Sequence, residues 1–135
     1  VLQAYEAIPE PAVLLVARSS EPGQLLGILL EGFGFRVLEC RGASHVREAL
    51  GRELPCVALV DPGLADVRDS LELIHAHGAL PILLLVDREE PAPADTCAAL
   101  GADAWERLEG KPTAILSALR DLLGRALEPA PALTP

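Results

Sequence analysis

The sequence predicts a doubly wound α/β domain with a parallel five-stranded sheet in the order 2-1-3-4-5. Three observations carry this prediction. Short, continuous apolar runs recur along the chain, as expected of strands covered on both faces. Segments with helical spacing of apolar residues separate them. Glycine and proline stand at the joints between the two. Strands that alternate with helices make parallel crossovers, and right-handed crossovers place helices on both faces.

The elements follow in order. AVLLVA (Ala12–Ala17) is the first strand, and SSEPG (Ser19–Gly23) the turn after it. QLLGILLEGF puts Leu26, Leu29, Leu30 and Phe33 on one helical face, and Gly34 ends that helix. FRVLEC (Phe35–Cys40) is the second strand. The second helix runs from about Ser44, read as its N-cap, through Val46, Ala49 and Leu50. Pro55 precedes the third strand, CVALVD (Cys56–Asp61), which ends in a Pro-Gly turn. Leu71, Leu73 and Ile74 mark the third helix, closed by Gly78. PILLLV (Pro81–Val86) is the fourth strand. The Pro-rich EEPAPAD delays a fourth helix to about Asp95, and Gly101 stops it. DAWER is a short fifth strand. Pro112 suits the first turn of the last helix, which carries Ile115, Leu119, Leu122 and Ala126 on one face.

These elements define three regions: a lead-in over 1–11, the domain over 12–127, and a Pro/Ala-rich tail over 128–135. The 135 residues suit one domain, and half of them are apolar. Aromatics make up 3%, so the core is aliphatic. The net charge of −9 argues against gripping nucleic-acid phosphates and against adhesion to anionic membranes. No apolar run approaches a membrane span, and no basic-apolar leader pattern is present, so the expected setting is cytoplasmic. Cys40, Cys56 and Cys97 lack metal-ligand spacing and read as free thiols in a reducing compartment. His45, His75 and His77 read as surface residues. Ser19 and Ser20 lack a nucleophile elbow, and no phosphate-binding glycine loop occurs.

In this fold class, chemistry belongs at the carboxyl ends of the strands, beside the switch point. Those ends are Ala17–Ser20, Asp61–Leu64, Val86–Arg88 and Trp105–Leu108.

Taken together, VLLVARSS, LLEGFGFRVLEC, CVALVDPGLAD, LPILLLVD, ALGADAWE and the later Lys-Pro pair resemble a response-regulator receiver domain of two-component phosphorelay signalling. The resemblance spans about Ala12 to Leu127 and implies a flavodoxin-like (βα)5 sandwich. It also implies an aspartate that accepts a phosphoryl group, and Asp61 holds that place. An acidic pair binding magnesium falls at Ala17 and Arg18, with Ser19 next; none is a carboxylate. The hydroxyl position at the end of the fourth strand is Val86. The lysine position is Leu108, and Lys111 stands three residues late. Trp105 takes the place of the aromatic that reports the active state. In a purely structural reading, Trp105 covers the last helix.

An incoming phosphoryl group is anionic, so a carboxylate nucleophile needs cations to receive it. Magnesium needs hard oxygen ligands. The expectation is therefore a pseudo-receiver: a non-enzymatic regulatory module for protein-protein interaction, with no metal or other cofactor. Its expected partners are other signalling proteins or an output domain, or a second copy through about 95–127. The alternative is an active receiver phosphorylated at Asp61 by a histidine kinase, with magnesium. Arg18 is expected either to pair with Asp61 or to point into solvent. A flavin- or cobalamin-binding domain is the more distant reading, and the motifs for either are missing.

Overall fold

The computed structural model describes residues 11–109 and 111–127, without the side chains of 125–127. The expected lead-in up to residue 10 and the tail over 128–135 lie outside the described residues, as does the side chain of Ala126. The chain alternates β1 (Ala12–Val16), α1 (Glu21–Gly32), β2 (Arg36–Cys40), α2 (Ala43–Arg52), β3 (Val57–Val60), α3 (Val67–His77), β4 (Ile82–Val86), α4 (Pro93–Leu100), β5 (Ala104–Arg107) and α5 (Pro112–Leu127). All strand pairs are parallel, as the alternation implies, and the order is β2-β1-β3-β4-β5, as expected for five strands of this class.

The period-2 geometry of the strands divides the interior into two layers. Leu14, Val16, Ala58, Val60, Ile82, Leu84 and Val86 face α2, α3 and α4. Val13, Leu15, Val57, Leu59, Leu83 and Leu85 face α1 and α5, where Leu26, Leu30, Ile115, Leu119 and Leu122 meet them. The three central strands β1, β3 and β4 are buried on both faces, which is why their sequences are unbroken apolar runs. The edge strand β2 is less enclosed, with Arg36 and Glu39 exposed and Val37 and Leu38 half-buried.

Three expectations need correction. Phe33 lies outside the core and is 53% exposed. The helix ends at Gly32, Phe33 is its C-cap, and Gly34 at φ +92° turns the chain into β2, so Phe33 stands at the helix end outside the Leu26–Leu30 contacts. Ser44 does not cap α2. The cap position is Gly42, and the Asp66 carboxylate, from the loop after β3, accepts the Ala43 N–H at 2.8 Å. Trp105 is half-buried, but it packs with the α2–α4 layer and not on the last helix. Its neighbour Ala104 faces the α1/α5 layer, so strand alternation turns Trp105 the other way.

Helix α4 starts at Pro93, two residues before the expected start. It ends at Gly101, in the left-handed region at φ +71°. Asp103 then accepts the Ile82 N–H at 2.7 Å and ties the start of β4 to the start of β5.

Candidate functional site

The neighbouring strands β1 and β3 run in register, with Val16 opposite Val60. Both end there, so the residues just beyond them emerge side by side at the carboxyl edge of the sheet. Asp61 is the first residue past β3. Its backbone N–H donates to the Val16 carbonyl at 2.8 Å, which fixes the strand end. Asp61 is 4% exposed, and among the described residues it is the buried carboxylate of the core.

A buried carboxylate must be paired and hydrogen-bonded. Arg18 supplies most of what Asp61 needs. Its Nε donates to Oδ2 at 2.7 Å, and Nη2 reaches Oδ1 at 3.4 Å. The Arg18 backbone N–H also points at Oδ2, at 3.4 Å. From the other side the Gly63 N–H donates to Oδ1 at 2.8 Å. Both oxygens are thereby engaged by a planar guanidinium and a backbone donor. Arg18 therefore pairs with Asp61, while half of its own side chain stays exposed. Its pKa is raised further above its ordinary value, first by the hydrogen bond to Asp61 and then by the carboxylate charge, with Asp87 adding a smaller attraction.

Gly63 has a role beyond the turn that the Pro-Gly pair announces. A Cβ built there meets the Arg18 guanidinium carbon at 2.6 Å. The absence of a side chain is what lets the guanidinium lie across the loop. The sequence signalled the turn but not this contact, since nothing local links Gly63 to a residue 45 positions earlier (63 − 18).

The other site residues fall as follows. Ala17 is buried and offers no ligand atom, and Ser19 is exposed in the turn. Ser20 caps α1, its hydroxyl accepting the Gly23 N–H at 3.2 Å. Val86 is fully buried at the end of β4, and its carbonyl accepts the Leu108 N–H at 2.9 Å. Leu108 packs into the α1/α5 layer. Lys111 is exposed ahead of α5 and makes no ion pair with a described residue. Beside Asp61 a cleft of about 420 Å³ opens between α3 and α4, lined by Gly63, Arg68, Asp87, Glu90 and Thr96.

These residues do not fit a magnesium ion. The position beside Asp61 holds a cationic guanidinium, and Ala17 cannot ligate. Among the described residues, no group of three His, Cys, Asp or Glu side chains is placed to hold a metal. His45 accepts the Arg41 N–H at the start of α2, and His75 contacts the Gly101 carbonyl at 3.2 Å, between α3 and the end of α4.

The cysteines are free; Cys40 and Cys97 are buried and Cys56 is half-buried. Burial pushes the Cys40 thiol up to about 11, with Arg52 pulling it down and Glu48 up. An unfolded thiol ionises near 9.0, so the folded state holds the proton more tightly. Stability is expected to fall as pH rises from about 9 to about 11, and Cys40→Ala should flatten that slope. Denaturant titrations across that range check it; an unchanged slope in the variant rejects Cys40 as the cause.

No family model matches the chain, and no curated protein matches it. Solved structures do. The receiver domain of a sensor histidine kinase from Pseudomonas aeruginosa, which has a magnesium ion coordinated in its active-site cleft, superposes with a TM-score of 0.74 at 18% identity over 87% of this chain and 99% of that one. A response regulator receiver protein from Burkholderia phymatum gives 0.73 at 20% identity over 90% and 99%. The N-terminal domain of a three-domain response regulator/sensory box/GGDEF protein from Carboxydothermus hydrogenoformans gives 0.73 at 18% identity over 85% and 95%. Among the described residues no helix is long and apolar enough to cross a membrane. At these identities the likeness is one of architecture: the chain has the fold of a response-regulator receiver domain.

Proposed function

We propose that this chain is a receiver-like signalling domain that works as a regulatory protein-interaction module, without magnesium-dependent phosphorylation of Asp61. The observation that carries this reading is the Arg18 guanidinium on the Asp61 carboxylate. A carboxylate engaged by Arg18 and by the Gly63 N–H is a poor nucleophile, because both oxygens already serve as acceptors. Attack on a phosphoryl donor first requires Arg18 to leave. No carboxylate stands at Ala17 to recruit a metal in its place. Val86 has no hydroxyl with which to bond a phosphoryl oxygen. On this reading the protein is not an enzyme and uses no cofactor. It acts in the cytoplasm through contacts with other signalling proteins, an attached output domain or a second copy, on the face built from α4, β5 and α5.

The test is intact mass and amide NMR with acetyl phosphate, or with beryllofluoride and magnesium. The expected result is an unchanged mass and unshifted amides in a folded domain. A mass gain, or shifts centred on Asp61, Val86 and Trp105 that vanish in Asp61→Ala, would establish the active receiver and overturn the proposal.

A further inference from the structure

The loop between β4 and α4 forms one wall of the cleft beside Asp61. It is held from an unexpected direction. Arg107, the last residue of β5, donates from Nη1 to the carbonyls of Asp87 at 2.6 Å and of Glu90 at 3.0 Å. Its guanidinium lies over the Trp105 ring, 5.7 Å from the centroid, within cation–π range. The loop is also bonded within itself. Asp87 accepts the Glu89 N–H at 3.0 Å. Glu90 Oε1 accepts the Ala92 N–H and the Thr96 hydroxyl, both at 3.1 Å.

We propose that Arg107 is a latch that fixes the β4–α4 loop, and with it the shape of the Asp61 cleft, from the edge strand β5. Three features make the guanidinium suited to this. It is permanently charged, it bridges two carbonyls with one nitrogen, and its carbon lies over an aromatic face within cation–π range. Val86, the residue just before the loop, is held by the same edge of the sheet, its carbonyl accepting the Leu108 N–H. Outside the loop itself and α4, the hydrogen bonds that hold the loop therefore come from β5. Trp105 reports the latch because the guanidinium covers its ring. The latch goes beyond the proposed function and does not depend on it, since Arg107 makes no contact with Asp61 or Arg18.

The experiment compares the full chain with Arg107→Ala and Arg107→Lys by residue-resolved amide hydrogen exchange and by acrylamide quenching of Trp105. In Arg107→Ala, exchange at Glu89, Ala92 and Thr96 should rise about tenfold or more, the scale of losing a charge-assisted hydrogen bond. Amides of β1 and β3 should keep their protection, and quenching should increase. Arg107→Lys keeps a cation near the ring but on a shorter side chain without the planar guanidinium, so it should loosen the loop to an intermediate degree. Should Arg107→Ala unfold, Arg107→Met tests the same contacts, because it keeps an apolar stem beside Trp105 but has no donor for the Asp87 and Glu90 carbonyls. Unchanged exchange over 89–96 in a folded Arg107→Ala, or in Arg107→Met if that is the variant that folds, overturns the latch. Because no phosphoryl donor or magnesium is used, this result is separate from the fate of the pseudo-receiver reading.

Discussion

Arg18→Ala should destabilise the domain by about 1–2 kcal/mol, and Gly63→Ala should reproduce most of that loss through the same contact. The sign follows from the asymmetric burial of the pair. Asp61 is almost wholly enclosed, whereas half of the Arg18 side chain is in water. Removing Arg18 leaves a buried carboxylate with only the Gly63 N–H and a long contact to the backbone of residue 18. Removing Asp61 instead leaves a guanidinium that can turn to solvent, so Asp61→Ala should cost less. The full price of an enclosed ion pair is larger, but water reaches this one through the gap that a missing arginine leaves, which holds the estimate down.

Gly63→Ala makes the test specific. The backbone of Gly63 is outside the left-handed region, so alanine is not strained there, but its methyl group occupies the guanidinium's position. The arginine end is flexible and moves away, so the cost is the lost pairing and not a backbone clash. In the Arg18→Ala background the same Gly63→Ala change should be neutral, or slightly stabilising by restricting the unfolded chain. Urea titrations of the two single variants and the double variant measure the coupling. Strict additivity would show that Gly63→Ala does not act through Arg18 and would remove the space at Gly63 as a condition for the guanidinium's position.

How much of this could be read in the sequence depends on the range of each interaction. The strands were legible because Leu14, Leu59 and Leu84 sit in runs that only burial on both faces explains. The parallel sheet follows from the alternation with helices, the strand order from the commonest arrangement of five such strands, and the Arg18–Asp61 neighbourhood from the switch point between β1 and β3. Contacts between distant loops were not legible. Asp66 replaces the local cap expected at Ser44, Gly63 accommodates Arg18, and Arg107 reaches back to Asp87 and Glu90. In each case the partner lies 17 or more residues away, or the glycine matters for the space it leaves, and neither leaves a periodic or local signature. The sequence does not show the layer of Trp105 for a related reason: four residues of a short edge strand do not reveal which parity faces which helices, whereas in the fold Ala104 belongs to the α1/α5 layer and Trp105 to the other.

The largest loss should come from Leu59→Ala, at about 3–4 kcal/mol. Leu59 is the middle of a row: it lies opposite Leu15 of β1 and Leu83 of β4 in the parallel register, and all three belong to the layer under α1 and α5. It is fully buried, and its strand is enclosed on both faces and both edges. A central strand bonded on each side cannot slide inward to fill a void, and the short aliphatic neighbours cannot swing across it as a long methionine could; the chain has no methionine. The estimate therefore belongs in the middle to upper part of the range for leucine truncation. At about 4 °C per kcal/mol for a chain of this length, the melting temperature should fall by roughly 12–16 °C. Leu54→Ala is the matched control, because Leu54 is 73% exposed and its truncation should change stability by less than about 0.5 kcal/mol. The denaturation midpoint of Leu59→Ala should drop with an unchanged slope, since a cavity lowers stability without altering the surface exposed on unfolding. Equal midpoints for the two leucine variants would mean that β3, the strand that delivers Asp61 to Arg18, is not the enclosed centre of the sheet.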